Sequence, residues 1–180
     1  MPGAMQYAEI KRGLEGVVVD TTSISEVVPE INSLVYRGYP VQELAEQCRF
    51  EEVVYLLWHG ELPTEDQLAD FMRCERSRRE LSPALLSVMS HFPVRAEPMD
   101  SLRTGVSFLG MENPDASKSN SPSNEEKALS LLAKIPTMIV ASHRMKRGQA
   151  FIPPSKDLGF SENFLYMYFN EVPPPEVVKA

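Results

Sequence analysis

The residue types that most often carry chemistry are sparse here and badly spaced for it. The 180 residues hold three histidines, His59, His91 and His143, and two cysteines, Cys48 and Cys74. Zinc sites pair thiolates or imidazoles a few residues apart, and no Cys or His in this chain lies that close to another. Two cysteines make neither a disulfide framework nor a CxxC motif, so two reduced thiols and no metal site are expected. No G-x-S-x-G occurs. Gly105 to Gly110 has the glycines of a phosphate loop, but no Lys-Ser/Thr follows them. Glu51 and Glu52 are adjacent, which on a helix points them about 100° apart. They read as the solvated acidic start of a helix rather than as an acid/base pair. Arg73, Arg76, Arg78 and Arg79 could attract an anion, yet Glu75 and Glu80 are interleaved with them, the pattern of a solvated helix face.

Composition narrows the classes further. Apolar residues make up 43% and charged ones 24%, enough for one real core. A net charge of −7 with a pI near 5.1 argues against a nucleic-acid surface. No apolar run approaches the roughly 18–20 residues of a membrane span. Met1 to Met5 lacks a basic region followed by an apolar core, so no signal peptide is read. Fifteen prolines predict short, well-punctuated elements.

The elements that would position any site are mostly helical. The Val-rich run Gly13–Ile24 and the run Leu34–Arg37 predict a small N-terminal hairpin. From Pro40, set as the first helical residue, Val41, Leu44 and Ala45 follow at helical spacing. A buried helix is expected from Glu51 to Trp58, ended at Gly60. Thr64 with Gln67 three residues on forms a capping box, opening a helix with Leu68, Phe71, Met72 and Leu81 on one face. Ser82-Pro83 and Glu97-Pro98 open two more. The stretch 112–124 is rich in Ser, Asn and Pro and predicts a mobile loop. Glu125 then leads a long helix to His143, kinked at Pro136. A last full helix is expected from Ser161. Another begins near Glu176, and a single turn does not repay helix nucleation, so the chain is expected to be truncated at residue 180.

Two runs carry a resemblance: Leu34–Ala45, with Tyr36-Arg37-Gly38-Tyr39-Pro40, and Phe50–Thr64, with Trp58-His59-Gly60-Glu61-Leu62-Pro63-Thr64. They resemble the N-terminal part of the citrate synthase family. Pro98–Ser107 and Gly13–Thr22 are similar to its bacterial 2-methylcitrate synthase branch. The resemblance implies a mostly α fold, part of a large helical domain with a short N-terminal β-hairpin. Residues 1–12 would be a tail, and 13–180 the N-terminal portion of that domain.

In that family a carboxylate removes a proton beside a thioester carbonyl and a histidine holds the enol. A second histidine polarises oxaloacetate and arginines grip its carboxylates. Those groups lie in His-x-x-Asn-Ala-Ser, Gly-Gly-Ala-Asn-Glu and Gly-Phe-Gly-His segments and a later Asp. None of these segments occurs here, so no catalytic residue is carried over to His59, His91 or His143. One substrate-binding position, basic in related enzymes, falls on Cys74, with Arg73 beside it and Arg76 two residues on. The resemblance implies no bound cofactor, with acyl-CoA and oxaloacetate as substrates, acetyl and propionyl thioesters both open. It also implies a cytoplasmic homodimer without nucleic-acid or membrane partners. This chain alone is expected to be inactive. The alternative is a non-catalytic helical binding or assembly module on the same fold.

Overall fold

The computed structural model describes Gly13 and residues 15–178, so the expected tail 1–12 lies outside the described residues. The chain forms two compact units, one ending at Gln47 and one starting at Cys48.

In the first unit, β1 (Ser25–Val28), β2 (Ser33–Tyr36) and β3 (Tyr39–Pro40) make an antiparallel sheet in the order β1-β2-β3, followed by α1 (Val41–Gln47). Ser25 pairs with Tyr36 and Val28 with Ser33. The connection is a 3-10 turn, Pro29–Ile31, closed by Asn32 at φ 48°, a left-handed position that Asn tolerates. Arg37 and Gly38 both take positive φ, as a two-residue hairpin turn requires. The Arg37 guanidinium donates to Ser23 Oγ at 2.7 Å. The expected strand was placed too early. Residues 17–20 carry no regular structure, and Val18 and Val19 are 85% and 77% exposed. Valine favours a strand only where a partner exists to pack it, and the tight Pro29–Asn32 connection gives that partner to Ser25–Val28 instead. Pro40 likewise ends β3 rather than opening α1. It is opposite Val35 on an edge strand, where a missing N–H is tolerated.

The second unit is helical: α2 (Phe50–His59), α3 (Glu65–Arg76), α4 (Pro83–Ser90), α5 (Pro98–Glu112), α6 (Ser121–Lys146), α7 (Phe160–Phe169) and α8 (Pro175–Val178). Local chemistry sets most boundaries. Thr64 Oγ1 accepts from Gln67 N while Gln67 Oε1 accepts from Thr64 N, the expected reciprocal cap. Ser82 Oγ accepts from Leu85 N at 3.0 Å. Gly60, at φ 92°, turns α2 off with its N–H on the Leu56 carbonyl. The core gathers Leu81, Leu85, Met89, Met138 and Ala141, so α6 is the helix around which α4 and α5 pack. A Cβ on Gly105 would meet Met138 Sδ at 2.9 Å; the bare backbone there allows the close crossing of α5 and α6.

Three expected boundaries move. The long helix starts at Ser121, not Glu125, because Asn120 Oδ1 accepts from Ser123 N and Pro122 fits the first turn. The loop shrinks to Asn113–Asn120, and it is braced. Asn113 Oδ1 accepts from Asp115 N, and Lys127 Nζ donates to the carbonyls of Ala116 and Lys118. α6 runs through Pro136, which has no N–H to give the Leu132 carbonyl. Also, α3 stops at Arg76, so Leu81 enters the core from the connection to α4.

Candidate functional site

Arg73 and Cys74, the residues matched to substrate binding, sit in the last turn and a half of α3. Arg73 is exposed and pairs with Asp70 at 2.5 Å. Cys74 is half-buried, and its carbonyl accepts from Ser77 Oγ and Arg78 Nη1. The three histidines are not brought together. His59 lies against Tyr55 of its own helix with ring centroids 4.1 Å apart and the rings tilted by 40°, and His91 Nδ1 lies 2.7 Å from the Ser87 carbonyl. His143 stacks on Tyr168 of α7 at 4.7 Å. Burial, with Arg147 and Arg144 adding, lowers the affinity of His143 for a proton. Burial pushes the Cys48 thiol up and Glu52 adds to this, so it is a poor nucleophile near neutrality. Among the described residues no three His, Cys, Asp or Glu side chains stand together as a metal site.

What the structure does assemble is a buried polar cluster that the solvated-face reading missed. Glu75 and Arg79 are each about 1% exposed. Arg79 Nε and Nη2 clasp the Glu75 carboxylate at 2.6–3.0 Å, while Nη1 donates to the carbonyls of Ser155 and Leu158, both at 2.9 Å. Desolvation raises the Glu75 pKa against the lowering pull of Arg79. The spacing of Glu75 and Arg79, four apart, is that of an ion pair, but nothing local shows that loop 155–158 closes over it. Glu51 departs from expectation too. It is 5% exposed and accepts from the Phe160 N–H at 2.9 Å, capping α7 from the first turn of α2. Phe50 and Phe160 stack beside it at 4.3 Å. Glu162 accepts from the Gly159 N–H at 2.8 Å. The positive ends of α2 and α7 therefore meet at the Glu51 carboxylate, which forms no ion pair among the described residues.

Elsewhere, a cleft of about 430 Å³ between α4, α5 and α6 is lined by Met89, Leu102 and Met138 and by His143, Lys146 and Arg147. No described helix is long and apolar enough to cross a membrane.

Residues 13–180 match the family model described as "Citrate synthase, C-terminal domain". The chain belongs to the citrate synthase family. It is 48% identical over 179 residues to 2-methylcitrate synthase of Mycobacterium tuberculosis (strain H37Rv), covering 99% of this chain and 45% of that protein. It is 50% identical over 171 residues to citrate synthase of Mycolicibacterium smegmatis, covering 95% and 45%. Its fold superposes on the crystal structure of citrate synthase from Pyrobaculum aerophilum with a TM-score of 0.87 at 35% identity, covering 94% of this chain and 44% of that one. The chain thus spans a little under half the length of the relatives it matches. The expected mostly helical family fold holds, with three strands at its N-terminal side where a hairpin was expected.

Proposed function

We propose that these residues form the helical scaffold portion of an enzyme that condenses acetyl- or propionyl-CoA with oxaloacetate. The observation that carries this is the unbroken match of residues 13–180 to the citrate synthase family model. In this reading the substrate carboxylates are approached from the end of α3, with Arg73 supplying the charge that Cys74 lacks. Arg73 is suited to the role because its ion-pair partner, Asp70, is itself well exposed and easily exchanged. The complete enzyme is a cytoplasmic homodimer. The condensing base and the two histidines come from outside these residues, because none of the motifs that would hold them occurs in the sequence.

Two measurements test this. Release of free CoA from acetyl- and propionyl-CoA with oxaloacetate should stay at background for this chain alone. Turnover above background would show that the assignment of the base and histidines is wrong. Co-expression with the part of the M. tuberculosis relative that this chain does not match should yield a complex that releases CoA. A co-purifying complex without activity would favour the other reading, a helical module that keeps the fold without the chemistry. Reading frame beyond Ala180 into a His-x-x-Asn-Ala-Ser motif would support the enzyme.

A further inference from the structure

The connection from α6 to α7 builds no backbone ladder of its own. Residues 150–158 make no backbone–backbone hydrogen bond among the described residues. Pro153 and Pro154 account for part of this, because neither has an N–H to give. Side chains satisfy the segment instead. At its start, Arg144 Nε donates to the Ala150 carbonyl at 2.7 Å, and Phe151 packs against the core that holds Leu85 and Met138. At its far end the contacts crowd together. Arg79 Nη1 donates to the carbonyls of Ser155 and Leu158, both at 2.9 Å. Asn163 of α7, buried, accepts from Ser155 N at 2.7 Å through Oδ1. Ser155 Oγ accepts from the N–H groups of Asp157 and Leu158, which closes a turn on the serine itself. Glu162 then takes the Gly159 N–H, and Glu51 of α2 takes the Phe160 N–H.

We propose that residues 153–160 form a strap with Arg79 as its catch: when the guanidinium lets go, Ser155 through Phe160 leave together, while Phe151 and the core of α4, α5 and α6 stay in place. The two Ser155 Oγ bonds make 155–158 a block, so its outside contacts are made or lost as a set. Those contacts run from side chain to backbone, two from Arg79 and one from Asn163. Arg79 grips the block at both ends, and Glu75 fixes the guanidinium in turn. Beyond Leu158 the backbone passes directly to Gly159 and Phe160, so movement of the block pulls the α7 cap off Glu51. The exposed pair of Lys156 with Glu80, at 3.1 Å, adds little in water. Glu75, Arg79 and Asn163 are already buried by the described residues, so the closed strap needs no further chain to cover its catch. The inference is independent of whether the complete enzyme condenses an acyl-CoA.

Native-state hydrogen exchange on this chain, read amide by amide across a urea series, tests the strap. The Ser155 and Phe160 N–H groups should show one shared opening, with equal protection and equal urea slope. That slope should be smaller than the slope of the Met138, Val140 and Ala141 amides, which wait for global unfolding. Arg79→Lys keeps a charge beside Glu75 but loses the planar fork that reaches both carbonyls. It should speed exchange at Ser155 and Phe160 by one common factor of about tenfold, although Arg79 touches neither N–H. Trypsin should then cut first after Lys156, because cleavage follows the population of the open form. Glu80→Gln, which removes only the exposed pair with Lys156, should change neither exchange rate by more than about twofold. If Arg79→Lys does not fold, the urea series on the parent decides alone. Different slopes at Ser155 and Phe160, or opening of both only together with the α6 amides, would overturn the proposal. So would an Arg79→Lys effect confined to Ser155.

Discussion

Arg79 holds Glu75 by a bidentate contact at 2.6–3.0 Å with both side chains almost completely excluded from solvent. The pair does more than neutralise itself. The remaining guanidinium donors reach loop 155–158, so one side chain joins the end of α3 to the segment that launches α7.

Breaking this pair from one side should be costly. Arg79→Met leaves the Glu75 carboxylate and two carbonyls buried without donors, and Glu75→Gln leaves a buried guanidinium undercompensated. Each should lower unfolding stability by about 3–5 kcal/mol. The double change Glu75→Leu with Arg79→Met should recover part of that. Recovery stays incomplete because the carbonyls of Ser155 and Leu158 remain unpaired, at about 1–3 kcal/mol each. Urea titrations of the four proteins measure this. Single variants within 1 kcal/mol of the parent would contradict the buried pairing.

Thr64→Ala should cost about 1 kcal/mol through loss of the α3 cap, and Thr64→Ser should cost much less. Denaturant midpoints at unchanged slope would report it. Equal midpoints for Ala and Ser would show that the hydroxyl does not cap the helix.

His143 gives the chain a pH dependence of definite sign. Its folded pKa is lowered from 6.5, first by burial and then by Arg147 and Arg144. The unfolded chain therefore binds that proton more readily. The stability contribution is complete above about pH 6.5 and is lost as pH falls through the folded value. Between about pH 7.5 and about pH 5.5 the parent should lose more stability than His143→Gln. Parallel losses, or an NMR pKa at or above 6.5, would refute it.

Trypsin should make its first internal cut after Lys118. That side chain is 60% exposed, and the turn 113–120 has few apolar anchors beyond the Lys127 brace. A first cut within residues 129–138 would mean that α6 is misassigned.

What was legible in the residues alone is local. Thr64 with Gln67, Ser82 before Pro83, and Gly60 after Trp58-His59 each settle a boundary with groups a few positions apart, and each boundary stands where their chemistry predicts. Asn120 carried the same kind of signal but was masked by a polar stretch that resembles a loop. Arg79 and Glu51 were misread because they meet backbone groups 76 to 109 residues away, and Glu75 is buried with Arg79 by the same distant closure. No periodicity within a helix distinguishes a carboxylate that faces water from one that meets a distant backbone N–H. The Val17–Val19 run failed for a related reason, since strand formation there depended on a pairing partner. For the matched binding position, sequence placed Cys74 and Arg73 on α3, and their opposite surroundings emerge only in the folded helix.

The cap on α7 also carries a consequence for biosynthesis. The Glu51 carboxylate emerges from the ribosome 109 residues before the Phe160 N–H that it will accept. At typical elongation rates that interval lasts roughly 5–20 s. Throughout it, α2 can form but its acidic first turn must remain hydrated, and the ring of Phe50 has no Phe160 to stack on. The order of synthesis thus keeps the α2 side of this junction open until α7 arrives, and makes the junction a late event in maturation of the chain.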